Sequence, residues 1–174
     1  NKSVQIGHSG WCLMLGLDFL AYFFHDKVAN TSEISKGIAS ENSPHCHMSF
    51  LDDFTVIDVE TTGLSPASAS IIQLSAVHYC AGLEVDSFST YINPLCPIPP
   101  AVTALTGIDN DTVSGAPIFD EVKEDFIAFL EQSALLTGYN FSFDLRFLSD
   151  ALGFQMAEQY RCFDTLALAR KWLP

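Results

Sequence analysis

The sequence predicts an α/β fold: a mixed sheet of three antiparallel strands followed by helix–strand–helix units, with helices on its flanks. Three observations carry this. Apolar, β-branched stretches at 54–60, 71–79 and 83–92 are joined by short links, which suits antiparallel neighbours. Downstream, apolar residues recur at helical spacing, interrupted by short strand-like runs. The chain has 174 residues, 48% of them hydrophobic, enough for one sizeable core.

Each element has a local reason. Phe54-Thr55-Val56-Ile57-Asp58-Val59-Glu60 is a strand, and Cys80-Ala81-Gly82 is a hairpin turn between the next two. Asn93-Pro94 and Pro99-Pro100 break the sheet, because proline offers no ladder donor; Pro100 opens a short helix over 100–105 that Thr106-Gly107 ends. In 118–131, Val122, Phe126, Phe129 and Leu130 give the i, i+4, i+7, i+8 stripe of a helix packed on one face. Residues 134–138 read as a short strand. Ser142 is the expected cap of a helix over 142–152, with Leu145, Leu148 and Leu152 inward and Gly153 closing it. A last strand over 160–163 and a helix over 165–173 complete the set.

Residues 1–47 differ in texture and read as an appendage of unknown role, with the compact domain over 48–174 starting at Met48. The apolar run from Trp11 to Phe24 is too short for the ~20 residues of a spanning helix and lacks the flanks of a signal peptide. It is expected to be a buried helix or a self-association surface, so no membrane is implied. His45-Cys46-His47 has no second ligand pair at zinc spacing and reads as loop. Five cysteines, without Cys-x-x-Cys spacing, suggest a reducing cytoplasm. A net charge of −13, with Lys and Arg totalling 8, argues against a broad electrostatic grip on nucleic acid; any such substrate must be held locally.

The chemistry is expected where acids gather. Asp58 and Glu60, two apart on a strand, point to one face at its exit. Asp144 opens the helix after the strand at 134–138; if that strand lies beside 54–60, Asp144 meets the pair at the strands' carboxyl ends. Three carboxylates raise one another's pKa, and divalent cations neutralise them; magnesium or manganese suits oxygen ligands. Two such ions suit phosphodiester cleavage. Spacing alone leaves open the plainer reading of strand-end solvation and a helix-start charge.

Asp58-Val59-Glu60-Thr61-Thr62-Gly63-Leu64, Asn93-Pro94 with Ile98-Pro99-Pro100, Leu105-Thr106-Gly107-Ile108, Asn140-Phe141-Ser142-Phe143-Asp144 and Asp164-Thr165-Leu166-Ala167-Leu168-Ala169-Arg170 together resemble the DEDD 3′→5′ exonucleases, nearest to the epsilon subunit and exonuclease domain of bacterial DNA polymerase III. The resemblance covers about residues 53–174. It implies a ribonuclease H-like fold and stepwise removal of nucleotides from 3′ ends of single-stranded DNA with two divalent cations, Mg2+ or Mn2+, in a proofreading setting beside a DNA polymerase subunit. By resemblance, Asp58, Glu60 and Asp144 are the catalytic metal ligands. Thr61 and Thr62 approach the terminal 3′-hydroxyl and sugar, while Leu64 and Ile108 pack on terminal bases unless they are core. Asn140 and Phe143 complete the substrate-binding set.

The family also needs a His or Tyr base followed by a fourth metal-binding Asp, and this chain stops at Pro174 before that segment is expected. Tyr160 and Asp164 have the family's tyrosine spacing, yet a strand there does not put both on one helical face; Asp164 is expected to cap the helix at Thr165. His8, His25, His45, His47 and His78 offer no better base. Two alternatives stay open: a 3′→5′ exoribonuclease of the ribonuclease T or oligoribonuclease kind, and an inactive interaction module that keeps the fold.

Overall fold

The computed structural model describes residues 53–172. The expectations for 1–47, for the domain start at Met48, for self-association through the run from Trp11 to Phe24, and for the end of the last helix lie outside the described residues. The strands are β1 (Asp53–Thr61), β2 (Ile71–Cys80), β3 (Leu83–Tyr91), β4 (Leu136–Gly138) and β5 (Cys162–Asp164). The helices are α1 (Pro100–Thr106), α2 (Asn110–Val113), α3 (Phe119–Leu130), α4 (Ser142–Leu152), α5 (Met156–Gln159) and α6 (Thr165–Trp172).

One five-stranded sheet runs in the order β3-β2-β1-β4-β5. β1, β2 and β3 form the antiparallel run that the short links require, while β4 pairs parallel to β1 and β5 parallel to β4. The β2–β3 turn places Ala81 at φ 51° and Gly82 at φ 78°, both left-handed, as a two-residue hairpin matching the strands' twist demands. The core lies on the sheet face bearing Ile57, Val59, Leu74 and Ala76, covered by Phe126, Phe129 and Leu130 of α3 and Leu148 and Leu152 of α4. Val122 and Leu145, the outer members of the two predicted stripes, pack at its margin.

The differences from expectation are local. Ser142 does not cap α4: the residue before the helix is Phe141, which makes no side-chain cap bond, and Ser142 is the first helical residue and exposed. Burial of the Phe141 ring fixes where the helix starts, and this outweighs a surface hydroxyl's capping bond. The four-residue helices α2 and α5 are too short to show a period in sequence. Asp109 holds α2, its carboxylate accepting from the Thr112 N–H at 2.8 Å. No helix of the described residues is long and apolar enough to cross a membrane.

Candidate active site

The site begins with an unequal pair of strands. The Thr55 N–H donates to the Leu135 carbonyl at 2.8 Å, so on β1 the N–H groups of residues 55, 57 and 59 all point toward β4. β4 has only three residues, and its pairing with β1 runs Thr55 to Leu136 and Val56 to Thr137. Beyond that, the edge of β1 has no strand beside it among the described residues. The Val59 N–H emerges there, and Asp144 Oδ1 accepts it at 2.9 Å in a buried hydrogen bond. The helix carboxylate therefore docks on the backbone between Asp58 and Glu60, whose side chains share the opposite alternation.

Local sequence makes this docking possible. A Cβ on Gly138 would stand 2.8 Å from the Ile57 carbonyl and 2.6 Å from Phe141 Cδ2, so only glycine lets the end of β4 press against β1. Asn140 then takes a left-handed conformation at φ 54°, a turn asparagine tolerates, and its carbonyl accepts from the Phe143 N–H at 2.9 Å. Phe141 drops into the core, and Asp144 enters the first turn of α4 facing β1. From the other side, the Thr165 hydroxyl donates to the Gly138 carbonyl at 2.9 Å, fastening the start of α6 to the same junction.

Burial and crowding strain the acids' ionisation. Burial, followed by the neighbouring Asp58 charge, holds Asp144 well above the usual carboxylate range; the Val59 hydrogen bond works against this, and Glu60 adds a smaller push upward. Asp58 is pushed up to about 7 by burial and by Glu60. Burial also raises Glu60. None of the three makes an ion pair among the described residues. Nor, among those residues, do three His, Cys, Asp or Glu side chains already stand as a ready cage for an ion. The fit to a divalent cation rests on donor chemistry: oxygen ligands only, mutually repelling, and without a basic residue to balance them.

The family described as Exonuclease (RNase_T) matches residues 55–174. The chain belongs to this exonuclease family. The PolC-type DNA polymerase III of Caldanaerobacter subterraneus subsp. tengcongensis is 40% identical over 119 residues, which cover 68% of this chain and 8% of that protein. The 3′-5′ exonuclease DinG of Bacillus subtilis is 40% identical over 125 residues, covering 70% of this chain and 13% of DinG. The chain thus spans about a tenth of the length of the curated relatives it matches. A solved Exonuclease X, in complex with 5′ overhanging duplex DNA, superposes with TM-score 0.55 at 26% identity over 70% of this chain and 64% of that one. E. coli Exonuclease I, in complex with an oligonucleotide, gives TM-score 0.59 at 17% identity over 69% and 29%, a likeness of fold. The mixed five-stranded sheet is accordingly the ribonuclease H-like arrangement of these exonucleases.

In this exonuclease fold the remaining predicted residues take different places. Thr61 and Thr62 are buried at the end of β1. The Thr61 hydroxyl donates to the Gly63 carbonyl at 2.6 Å, while Thr62 and Ser70 clamp each other: the Thr62 N–H donates to the Ser70 carbonyl and the Ser70 N–H to the Thr62 hydroxyl, both at 2.9 Å. Leu64 stands on the loop so closed, 83% exposed. Ile108 is 3% exposed, within a satellite core of Ile72, Ile98 and Val113, which is the core alternative its position left open. Asn140 is exposed, and Phe143 is half-buried with its ring 5.0 Å from that of Phe147.

Of the side chains weighed as a general base, Tyr160 and His78 are among the described residues and lie elsewhere, while His8, His25, His45 and His47 lie outside them. Tyr160 packs on Phe154 and lies near Glu131, whereas Asp164 caps α6, accepting from the Leu166 N–H at 2.9 Å. His78 bonds Asp53 at the far end of β1. Sequence reasoning missed the Val59 amide and Gly138. The first carries no side-chain signal; the second was visible as a glycine closing a strand just before Tyr139-Asn140.

Proposed function

We propose that this chain is a 3′→5′ exonuclease domain, over 48–174, acting on single-stranded DNA ends with two divalent cations, Mg2+ or Mn2+. The observation that carries the reading is the bond from the Val59 N–H to Asp144, which fastens a third acid beside Asp58 and Glu60 with no basic residue among the described ones to balance them. Asp58, Glu60 and Asp144 would hold the cations, which when bound supply an activated water and charge stabilisation at the leaving oxygen. The chain's own contribution is placement. Thr62 and Ser70 hold the loop after β1 beside the acids, and Leu64 offers an exposed apolar side chain to a terminal base. Exposed Asn140 and half-buried Phe143, close to Asp144 in sequence, would meet a strand that reaches the acids.

The DNA preference and a polymerase partner are supported by relatives named as PolC-type DNA polymerase III and by Exonuclease X bound to DNA. We place the domain in the cytoplasm, where the thiols of Cys80, Cys96 and Cys162 stay free. The test is incubation with manganese and a 5′-labelled single strand, beside an RNA strand of the same sequence. The expected result is a ladder shortened stepwise from the 3′ end of the DNA and lost on chelation. No shortening of either strand in manganese or magnesium would overturn the reading, and faster loss of RNA would replace DNA as the substrate.

A further inference from the structure

With a net charge of −13, the chain must concentrate its hold on a polyanion in a few places. The basic residues among the described ones are Lys123, Arg146, Arg161, Arg170 and Lys171. Arg161 leads into β5 at the amino end of that strand, away from the carboxyl ends where the acids lie, and Arg170 and Lys171 sit in the last turn of α6. Arg146 alone of the five stands on α4, the helix that carries Asp144.

Its direction is informative. On α4, Arg146 has an exposed acid one turn onward, Asp150 at i+4, the ordinary partner for a surface arginine. It forms no ion pair there or with any other described carboxylate. Instead it reaches back toward the helix start: Nε donates to the Ser142 carbonyl at 3.3 Å, and the guanidinium lies 5.9 Å from the centre of the Phe143 ring. A full positive charge is thereby held, exposed and without a counter-charge among the described residues, beside the aromatic residue adjoining Asp144. A planar fork of donors in that setting matches a phosphate.

We propose that Arg146 binds a backbone phosphate of the single strand whose 3′ end reaches Asp58, Glu60 and Asp144. The inference rests on the exonuclease reading for the strand's direction and adds the group that holds it. Phe143 serves as the platform that keeps the guanidinium extended, so the ring orders the arginine as well as meeting the strand.

The test follows binding of a fluorescent single-stranded DNA in calcium across a salt series, with shortening in manganese measured in parallel. Arg146→Gln is expected to weaken binding about tenfold at low salt, the size of one charge-assisted contact. It should also make the log–log salt slope shallower by about 0.7, the share of one phosphate on a single strand. In the shortening assay KM should rise while kcat stays within about twofold, since the contact is made before and during reaction alike. Arg146→Lys should keep the wild-type slope with a smaller loss of affinity. An Arg146→Gln slope equal to wild type, a Lys variant as impaired as Gln, or no binding by the wild-type chain would overturn the proposal. Binding with the expected slopes but no shortening would overturn the exonuclease reading and leave Arg146 as the phosphate anchor; shortening with an unchanged slope would do the reverse.

Discussion

β1 carries acid at both ends, and the two ends treat it differently. At its start Asp53 is bonded by His78 Nε2 at 3.0 Å, so the strand's first carboxylate is answered from inside the fold. At its finish Asp58 and Glu60 meet Asp144, and among the described residues it is backbone amides, that of Val59 foremost, and no basic side chain, that donate to the meeting acids. The first end is cohesive, although His78 Nδ1 is buried without a partner. At the second, burial and crowding raise the acids' pKa, and only a positive charge from outside the described residues would let all three ionise together. One strand thus separates an acid paired within the fold from those proposed to be reactive by the presence or absence of a basic neighbour among the described residues.

The contrast can be broken most severely at Asp144. Asp144→Asn preserves the size of the side chain and an oxygen for the Val59 N–H, so 3′ shortening should fall by about a thousandfold while the melting temperature holds or rises. An Asn variant that still degrades DNA at the wild-type rate would place the chemistry elsewhere. Asp144→Ala additionally orphans the Val59 N–H and should lose about 1–3 kcal/mol in a denaturant titration.

The next test is pH. Asp58 has a folded pKa of about 7, above its ordinary 3.8, so between these values the folded chain binds more protons than the unfolded one. Stability contributed by this group is therefore greatest at low pH and is lost as pH rises toward 7, by an amount on the order of a few kcal/mol. Melting curves in chelator should show this decline, with manganese flattening it and Asp58→Asn removing a part. A metal-free melting temperature that rises through this window for wild type relative to Asp58→Asn would contradict the electrostatic account.

Gly138→Ala probes the junction that delivers Asp144. Its Cβ contacts with the Ile57 carbonyl and Phe141 should cost about 1–3 kcal/mol and slow shortening by displacing the start of α4. Unchanged stability would mean that β4 and β1 can part more readily than the 2.8 Å approach implies. The smallest effect belongs to the cohesive end: Asp53→Asn should lose about 0.5–1.5 kcal/mol and leave the shortening rate unaltered. A large rate loss there would erase the distinction between the two ends.

Much of this was legible in the sequence because it depends on periodicity. Alternation put Asp58 and Glu60 on one face, and the strand limits fell within a residue or two of β1, β2 and β3. That the strand before Asp144 lies beside β1 was conditional in sequence and is met by β4. What stayed hidden depends on backbone geometry and on competition between local and tertiary forces. A backbone donor such as the Val59 N–H has no residue code. The shortness of β4, which frees that donor, follows from Gly138 and the left-handed Asn140 ending the strand early. Ser142 lost the capping position because Phe141 was drawn inward, and Ile108, equally apolar to Leu64, was covered while Leu64 was not.

The reciprocal Thr62–Ser70 clamp has a consequence for how such enzymes diversify. It closes residues 63–69 into a ring whose neck is two hydrogen bonds, with Ala69 packed on the core and the tip around Leu64 exposed, so changes at that tip need not displace the acids. Loop-closure entropy rises by only about 0.6 kcal/mol for each doubling of length. The ring is therefore an exchangeable cassette: if the proposed function holds, insertions and swapped side chains around Leu64 would retune which strand ends are accepted while the acidic floor stays where it is.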